Sequence, residues 1–197
     1  MNLAVFASIR SILGPVVSFA TDQAQREGEK ESTMNLIADL LCPEDILLNV
    51  DIQDRSQLFA KVGRHMQLEH ALSQEWVAGG LARREQIGST GLGEGVAIPH
   101  ARVKDLDRIR LAYLRLKAPI SFDAPDGKPV SDVLALLVPK QATEEHLQIL
   151  AEAAHMLSER RFREQLHLCG NAGEVKQLFG TWPPSDGATR VRQGKAT

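Results

Sequence analysis

An unbroken apolar run, Val-Leu-Ala-Leu-Leu-Val, extends over residues 133–138 and ends at Pro139. The run has the length of a strand, and its lack of polar alternation predicts a strand buried on both faces. Such a strand lies in the middle of a sheet and needs helices above and below it. The run therefore predicts a layered protein of helices and sheet.

The rest of the sequence alternates strand and helix patterns. Strands are predicted over 46–50 and over 108–117, where apolar residues alternate with polar ones. Helices are predicted after cap residues, which are Asp54, Ser73, Thr143 and Asn171. Short hairpin-like links between 108 and 138 favour some antiparallel pairing. We expect an α/β (α+β) fold with a mixed, roughly five-stranded sheet that helices flank on both faces.

A glycine-rich loop over 84–100 leads to a single histidine. Its glycines allow backbone N–H groups to approach an anion. The glycine spacing is wrong for a nucleotide loop, and no Gly-Lys-Ser/Thr follows. Pro99 keeps Ile98 extended and places His100 at the end of a short strand over 96–98, with a polar connection from Arg102 onward. An imidazole beside an anion-binding loop suggests a histidine that receives a phosphoryl group.

Two further residues point to the same kind of ligand. Val77, Leu81 and Arg84 share one helix face, so Arg84 emerges from the apolar side, whereas Arg83 is solvated. An arginine without an adjacent carboxylate either has a distant partner or is held for an anion. His146 follows the Thr143 cap, beside free helix N–H groups that favour a nearby anion.

Composition excludes several classes of function. The net charge is −2 and charged residues make up 24% of the chain, which predicts no nucleic-acid surface. Cys42 and Cys169 are far apart, and no histidine pair has ligand spacing, so we expect no metal site and no disulfide. Of the remaining histidines, we interpret His65 and His70 as surface or half-buried, His155 as structural or exposed, and His167 as a surface residue. No stretch approaches the roughly 20 apolar residues of a membrane span, so no membrane insertion is expected.

Both ends of the sequence differ from its middle. Residues 1–33 combine an apolar stretch with a polar one, and we interpret them as an unstructured or mis-started extension before Met34. A signal peptide is the alternative, although Gly14-Pro15 breaks its apolar run. Residues 34–180 are the predicted folded domain. Residues 181–197 are polar and rich in proline and glycine, which predicts a disordered tail.

Several segments together resemble the phosphotransferase-system (PTS) enzyme IIA domains of the fructose/mannitol class, most closely the nitrogen-regulatory branch. The resemblance extends over residues 34–179. The matching segments are 81–91 (Leu-Ala-Arg-Arg-Glu-Gln-Ile-Gly-Ser-Thr-Gly), 95–102 (Gly-Val-Ala-Ile-Pro-His-Ala-Arg), 122–124 (Phe-Asp-Ala), 136–139 (Leu-Leu-Val-Pro) and 143–147 (Thr-Glu-Glu-His-Leu).

The resemblance implies roles for residues at matching positions. His100 would be the phosphohistidine, with His146 as the second active-site histidine and Arg84 as the site arginine. The phosphoryl oxygens would bind the loop residues Ser89, Thr90 and Gly91. Ala101 stands where many relatives of this class carry glycine, a small departure.

The resemblance also implies a function. The chain would be a cytoplasmic phosphocarrier without a cofactor, and its donor would be a phosphohistidine protein like HPr or NPr. Partner proteins would read its phosphorylation state, and family resemblance suggests potassium-transport or sensor-kinase proteins. The chemistry is of the phosphotransferase type, and whether the chain counts as an enzyme stays open at this stage.

Two alternatives remain. A fructose- or mannitol-specific IIA component would use the same residues but pass phosphate to a sugar-transporting IIB protein. A binding module of the same fold would no longer be phosphorylated, although the set of Arg84, His100 and His146 argues against it. The downstream target, the oligomeric state and the true start codon are not predicted.

Overall fold

The computed structural model describes residues 35–141 and 145–183. The predicted extension over 1–33, the Thr143 cap and the tail after Pro183 lie outside these residues. The helices are α1 (Leu36–Leu40), α2 (Arg55–His70), α3 (Gln74–Ile87), α4 (Glu145–Ser158), α5 (Arg160–Leu168) and α6 (Ala172–Thr181), with a 3₁₀ turn at Pro43–Asp45. Within the described ranges, no helix is both long enough and apolar enough to cross a bilayer.

The strands form one mixed sheet, as predicted. They are β1 (Ile46–Val50), β2 (Gly91–Gly93), β3 (Val96–Ala97), β4 (His100–Val103), β5 (Arg110–Ile120) and β6 (Val130–Pro139). The order is β1-β5-β6-β3-β2, and β4 pairs with β6 farther along the edge that β3 occupies. The β5–β6 and β2–β3 pairs are antiparallel, whereas β1–β5, β3–β6 and β4–β6 are parallel.

The sheet has six strands rather than roughly five because the chain returns to extended structure after Pro99. The polar connection expected from Arg102 onward is wrong at its start. Ala101 and Val103 are buried while Arg102 and Lys104 are exposed, which is the alternation of a strand with one covered face. His100 therefore begins a strand instead of only following one.

The apolar run over 133–138 separates two cores. Val133, Ala135 and Leu137 face one of them, together with α2 and α3. Leu134, Leu136 and Val138 face the other, together with α1, α4, α5 and α6. The prediction of a central strand with helices on both faces is confirmed.

The position of α3 over the sheet brings its last turn to the start of β4. Gly80 lies so close to β4 that a Cβ added there would be 3.2 Å from the Cβ of Ala101. Arg84 is one helical turn farther along α3, on the same side as Gly80. Because Gly80 and Ala101 are both small, α3 packs close to β4, and Arg84 can therefore reach His100.

Candidate functional site

His100 lies at the junction between two short strands. Its backbone is opposite Leu136 in the β4–β6 ladder, and its side chain is half-buried. The junction itself is held on both sides, because the Ile98 N–H donates to the Thr90 carbonyl at 3.0 Å and the Pro99 carbonyl accepts from the Leu136 N–H at 2.9 Å. The imidazole is therefore carried on backbone with little freedom to move.

Hydrogen bonds define which ring nitrogen of His100 can react. Nδ1 is 3.0 Å from the carbonyl oxygen of Ile98, and a carbonyl can only accept, so Nδ1 carries the proton. Nε2 lies 3.0 Å from Nε of Arg84, which can only donate, so Nε2 presents its lone pair. The neutral tautomer with a nucleophilic Nε2 is the one that satisfies both contacts.

Arg84 is held in place by a second hydrogen bond. Its Nη1 donates to the carbonyl oxygen of Gly88 at 2.9 Å, and its side chain is half-buried, as the helix-face argument predicted. Across the described ranges, no carboxylate forms an ion pair with Arg84. Of the two alternatives for this residue, the geometry favours a guanidinium kept available for an anion.

The electrostatics of the site keep His100 neutral. Burial lowers the pKa of His100 below its ordinary value of 6.5, and electrostatic interactions with Arg84 and His146 lower it further. The hydrogen bond to Ile98 and the charge of Glu85 act in the opposite direction without reversing the shift. At neutral pH the ring is therefore unprotonated at Nε2.

His146 lies in the first turn of α4 and is half-buried. Ala153 and Leu157, which follow His146 at helical spacing on the same face, are buried in the core under α4. Nδ1 of His146 is buried and has no hydrogen-bond partner among residues 35–141 and 145–183. A buried ring nitrogen without a partner is uncommon, and an anion at the site would supply one.

The loop residues predicted to bind phosphate are held by internal hydrogen bonds. The Ser89 hydroxyl donates to the Phe122 carbonyl at 2.6 Å and accepts from the Gly91 N–H at 3.1 Å. Thr90 is buried, and its hydroxyl donates to the Glu85 carboxylate at 2.5 Å. Binding of a phosphoryl group by Ser89, Thr90 and Gly91 stays a prediction, and it requires these groups to exchange partners.

Glu85 is a structural residue of the site that the sequence analysis missed. Its carboxylate is buried, accepts from both the N–H and the hydroxyl of Thr90, and lies 3.6 Å from Arg55. A local sequence feature could have indicated it, because Glu85 and Thr90 lie five positions apart on either side of Gly88. Glu85 fixes the loop that follows α3 and leaves Arg84 free of a carboxylate.

A second group of polar side chains lies apart from this loop, around Asp45. The Asp45 carboxylate is 2.7 Å from Nε2 of His65 and 2.8 Å from Nε2 of His70. Both histidines are half-buried, one of the two alternatives expected for them, but that interpretation did not include this contact. Sequence spacing could not indicate it, because Asp45 precedes the two histidines by 20 and 25 residues.

Comparison with known proteins is consistent with this geometry. Residues 39–181 match the family model described as "Phosphoenolpyruvate-dependent sugar phosphotransferase system, EIIA 2". The sequence is 36% identical to the nitrogen regulatory protein of Pseudomonas aeruginosa, over 71% of this chain and 91% of that protein. It is 32% identical to the nitrogen regulatory protein of Bradyrhizobium diazoefficiens, over 77% of this chain and 99% of that protein.

Solved structures of this class of protein have a similar fold. The crystal structure of nitrogen regulatory protein IIA-Ntr from Neisseria meningitidis superimposes with a TM-score of 0.69 at 41% identity, over 73% of this chain and 99% of that one. Mannitol IIA from Escherichia coli gives a TM-score of 0.60 at 19% identity, over 70% of this chain and 97% of that one. At this identity the similarity supports the fold alone. The resemblance to the nitrogen-regulatory branch and to its fold is confirmed.

Proposed function

We propose, from the premise that the chain belongs to the phosphotransferase-system EIIA 2 family, that it is a nitrogen-regulatory phosphocarrier. His100 accepts a phosphoryl group from a phosphohistidine protein like HPr or NPr, and partner proteins respond to the phosphorylated and free forms differently. The protein acts in the cytoplasm together with its donor.

The observation that carries the proposal is the pair of hydrogen bonds on the His100 ring. Nδ1 donates its proton to the Ile98 carbonyl, and the lone pair of Nε2 accepts a hydrogen bond from Arg84 Nε at 3.0 Å. A nucleophilic histidine needs this tautomer and a depressed pKa, and His100 has both. A histidine with only a packing role has no need of an arginine aimed at its lone pair.

The transfer step exchanges one nitrogen–phosphorus bond for another. Nε2 of His100 attacks phosphorus in line while the bond to the donor imidazole breaks, and that bond's electron pair returns to the donor nitrogen. The His100 ring gains positive charge as the new bond forms. Its Nδ1–H then becomes a stronger donor to the Ile98 carbonyl, which stabilises the phosphorylated ring.

Arg84 and His146 supply charge and hydrogen bonds for the equatorial oxygens. When phosphorus bonds to Nε2, the guanidinium loses its contact with that nitrogen and turns to the phosphoryl oxygens beside it. Its second contact, to the Gly88 carbonyl, keeps it in place during the change. The unpartnered Nδ1 of His146 is a second polar group available to the anion.

The surface around the site is suited to a partner protein whose binding depends on the charge at His100. Exposed apolar side chains lie in each of the segments that carry the site, namely Ile87 (85% exposed), Leu92 (38%) and Leu147 (59%). A contiguous patch of exposed apolar residues marks a protein-binding surface, and we propose that these three belong to one. A dianion added at His100 changes the charge of such a surface and so changes which partner binds it.

A sugar-specific IIA component is the competing function with the same chemistry. The chain is 38% identical to a fructose-specific EIIA component of Haloferax volcanii, but the match covers only 44% of this chain and 56% of that protein. A solved complex of mannitol IIA with phosphorylated mannitol IIB is similar at 19% identity, which extends to the fold only. The wider coverage by nitrogen regulatory proteins favours the regulatory proposal.

Phosphorylation in a purified system tests the proposal. The protein is incubated with phosphoenolpyruvate, enzyme I and HPr or NPr, and intact-mass spectrometry detects an acid-labile phosphoryl group. We expect labelling of the wild type and of His155→Ala, which changes an exposed histidine, and none of His100→Ala. An unlabelled wild type with both donors would instead favour the binding module that kept the fold.

Adding a IIB protein in a second step separates the two phosphocarrier functions. The regulatory proposal expects phosphorylated protein to keep its label in the presence of a fructose- or mannitol-specific IIB protein. Rapid transfer of the label to the IIB cysteine would establish the sugar-specific alternative instead.

A further inference from the structure

We propose that Asp45, His65 and His70 form a binding site for a zinc-class divalent cation, separate from the phosphoryl site. Asp45 ends the 3₁₀ turn before β1, His65 lies in the later part of α2, and His70 is its last residue. The possible ligand atoms of the three side chains all lie within 4.8 Å of one another. Among the described residues this is the group with the donors and the convergence of a metal site.

The three side chains are aimed at one point. Nε2 of His65 is 2.7 Å from Oδ1 of Asp45, and Nε2 of His70 is 2.8 Å from Oδ1 and 3.0 Å from Oδ2. The side chains of Asp45, His65 and His70 are 1%, 10% and 8% exposed. Buried polar groups that converge on one carboxylate from two different elements are a built arrangement rather than a chance surface contact.

The donor set matches what zinc binds. Two imidazole nitrogens and one carboxylate oxygen are the protein ligands of many three-ligand zinc sites, in which water or a substrate takes the fourth position. Tetrahedral bonds of about 2.0–2.2 Å put neighbouring ligand atoms about 3.3 Å apart. The two His–Asp separations of 2.7 and 2.8 Å are shorter by about 0.5 Å, so metal binding requires the histidine side chains to rotate away from the carboxylate.

Metal binding requires a change of tautomer but no loss of protons from neutral rings. Without metal, the Nε2–H groups of His65 and His70 donate to Asp45. When a cation binds, each ring moves its proton from Nε2 to Nδ1, so the Nε2 lone pair faces the metal. The carboxylate changes from a hydrogen-bond acceptor to a metal ligand and keeps its charge.

The scaffold around the cluster is suited to hold a cation. The Asp45 N–H donates to the Cys42 carbonyl at 3.0 Å, which fixes the turn. After His70, Ala71 takes a left-handed conformation with φ of 54°, and its N–H closes the helix on the Met66 carbonyl. A metal at this point would tie the turn before β1 to the end of α2.

Zinc titration of the full-length protein tests the site. The protein is stripped with a chelator and titrated with Zn²⁺ against a chromogenic competitor, and Co²⁺ is added separately to read coordination from its visible spectrum. We expect one zinc ion per chain and an intense tetrahedral Co²⁺ spectrum. His65→Gln and His70→Gln should each weaken zinc binding by more than about 100-fold, because losing a direct ligand costs more than losing a residue that only supports one.

Controls separate this site from the other histidines. His155→Gln alters a histidine of which 54% of the side chain is exposed, and it should bind zinc as the wild type does. The double variant His100→Ala/His146→Ala should keep one zinc ion per chain and the same Co²⁺ spectrum.

Two results would overturn the proposal: a wild type that takes up no zinc at micromolar concentration, or His65→Gln and His70→Gln variants that bind it unchanged. Circular dichroism establishes that each variant is folded. If either histidine variant unfolds, Asp45→Asn replaces it. A Co²⁺ spectrum that Asp45→Asn leaves unaltered counts against the site as strongly.

Discussion

The two histidine clusters of this protein contain the same side chain in opposite electrostatic settings. His100 lies beside the guanidinium of Arg84, whereas His65 and His70 lie beside the carboxylate of Asp45. Burial and the guanidinium of Arg84 both lower the pKa of His100, and the guanidinium faces the Nε2 lone pair. At the other cluster burial alone would raise the pKa of Asp45, but hydrogen bonds and electrostatic interactions with the two histidines outweigh it and lower that pKa.

The comparison shows that the neighbouring charge determines what an imidazole can do. Next to a cation, the ring is a neutral nucleophile with a free electron pair. Next to an anion, each ring is an N–H donor, and it becomes a metal ligand only when its proton moves from Nε2 to Nδ1. Changing one partner of these imidazoles at a time tests the difference.

The largest effect should come from Arg84. Arg84→Ala removes the group that meets the phosphoryl oxygens, and we expect the rate of phosphoryl transfer to His100 to fall by about 10²–10³-fold, as for other transition-state donors. Rapid-quench measurement with phosphorylated HPr or NPr gives the rate. Arg83→Ala, which alters an exposed arginine on the same turn, is the control. Equal rates in the two variants would show that Arg84 has no part in transfer.

The next effect should come from Asp45 and should concern stability. Asp45→Ala leaves two nearly buried N–H groups without an acceptor, so the free energy of unfolding should fall by about 3 kcal/mol, the sum of two hydrogen bonds to a charged group at their lower limit. Urea unfolding in the presence of a chelator measures it. Asp51→Ala, at an exposed position, should change stability little. Phosphorylation of His100 in Asp45→Ala should continue at the wild-type rate if the two clusters are independent.

A smaller effect is expected for Thr90. Thr90→Val keeps the shape but removes the hydroxyl bound to Glu85, so the free energy of unfolding should fall by about 1–2 kcal/mol. Transfer should stay within about twofold of wild type if the hydroxyl serves Glu85 rather than the phosphoryl group. The same two assays on one preparation measure both quantities. A large loss of rate with unchanged stability would favour the role of Thr90 as a phosphate ligand.

The smallest effect should be seen in the titration of His100. Because the folded pKa lies below 6.5, the neutral ring persists as pH falls through 6.5, and acceptance of phosphate should decline only at lower pH. Arg84→Gln removes one cause of the shift, so the midpoint should move upward but stay lowered by burial. NMR of the ring protons follows it, with His155 as the internal reference. A downward move would mean that the sign of the Arg84 contribution is wrong.

The candidate phosphoryl site could largely be predicted because its information is local. Helix periodicity over 77–84 placed Arg84 on the apolar face, and Pro99 indicated an extended approach to His100. The contact between them depends on the close packing of Gly80 and Ala101, which neither pattern reveals. The strand at His100–Val103 was missed even though buried and exposed residues alternate there, because charged Arg102 and Lys104 were read as a loop.

The cluster around Asp45 could not be predicted in the same way. Its members lie on a turn and at two points of one helix, and only the folding of α2 against the turn brings them together. Asp45 is also buried although it lies in a short turn beside another acidic residue, Glu44. Tertiary contacts between residues distant in sequence leave no periodic signal in a single chain.

A long-range ¹H–¹⁵N NMR spectrum of the phosphorylated protein with ¹⁵N-labelled histidine tests the proposed phosphorylation of His100. The spectrum identifies both the histidine that carries the phosphoryl group and the nitrogen that is bonded to phosphorus. The hydrogen bonds to Ile98 and Arg84 predict phosphorylation at Nε2 of His100 with a proton retained on Nδ1. Phosphorylation at Nδ1 of His100, or on His146, would contradict the account.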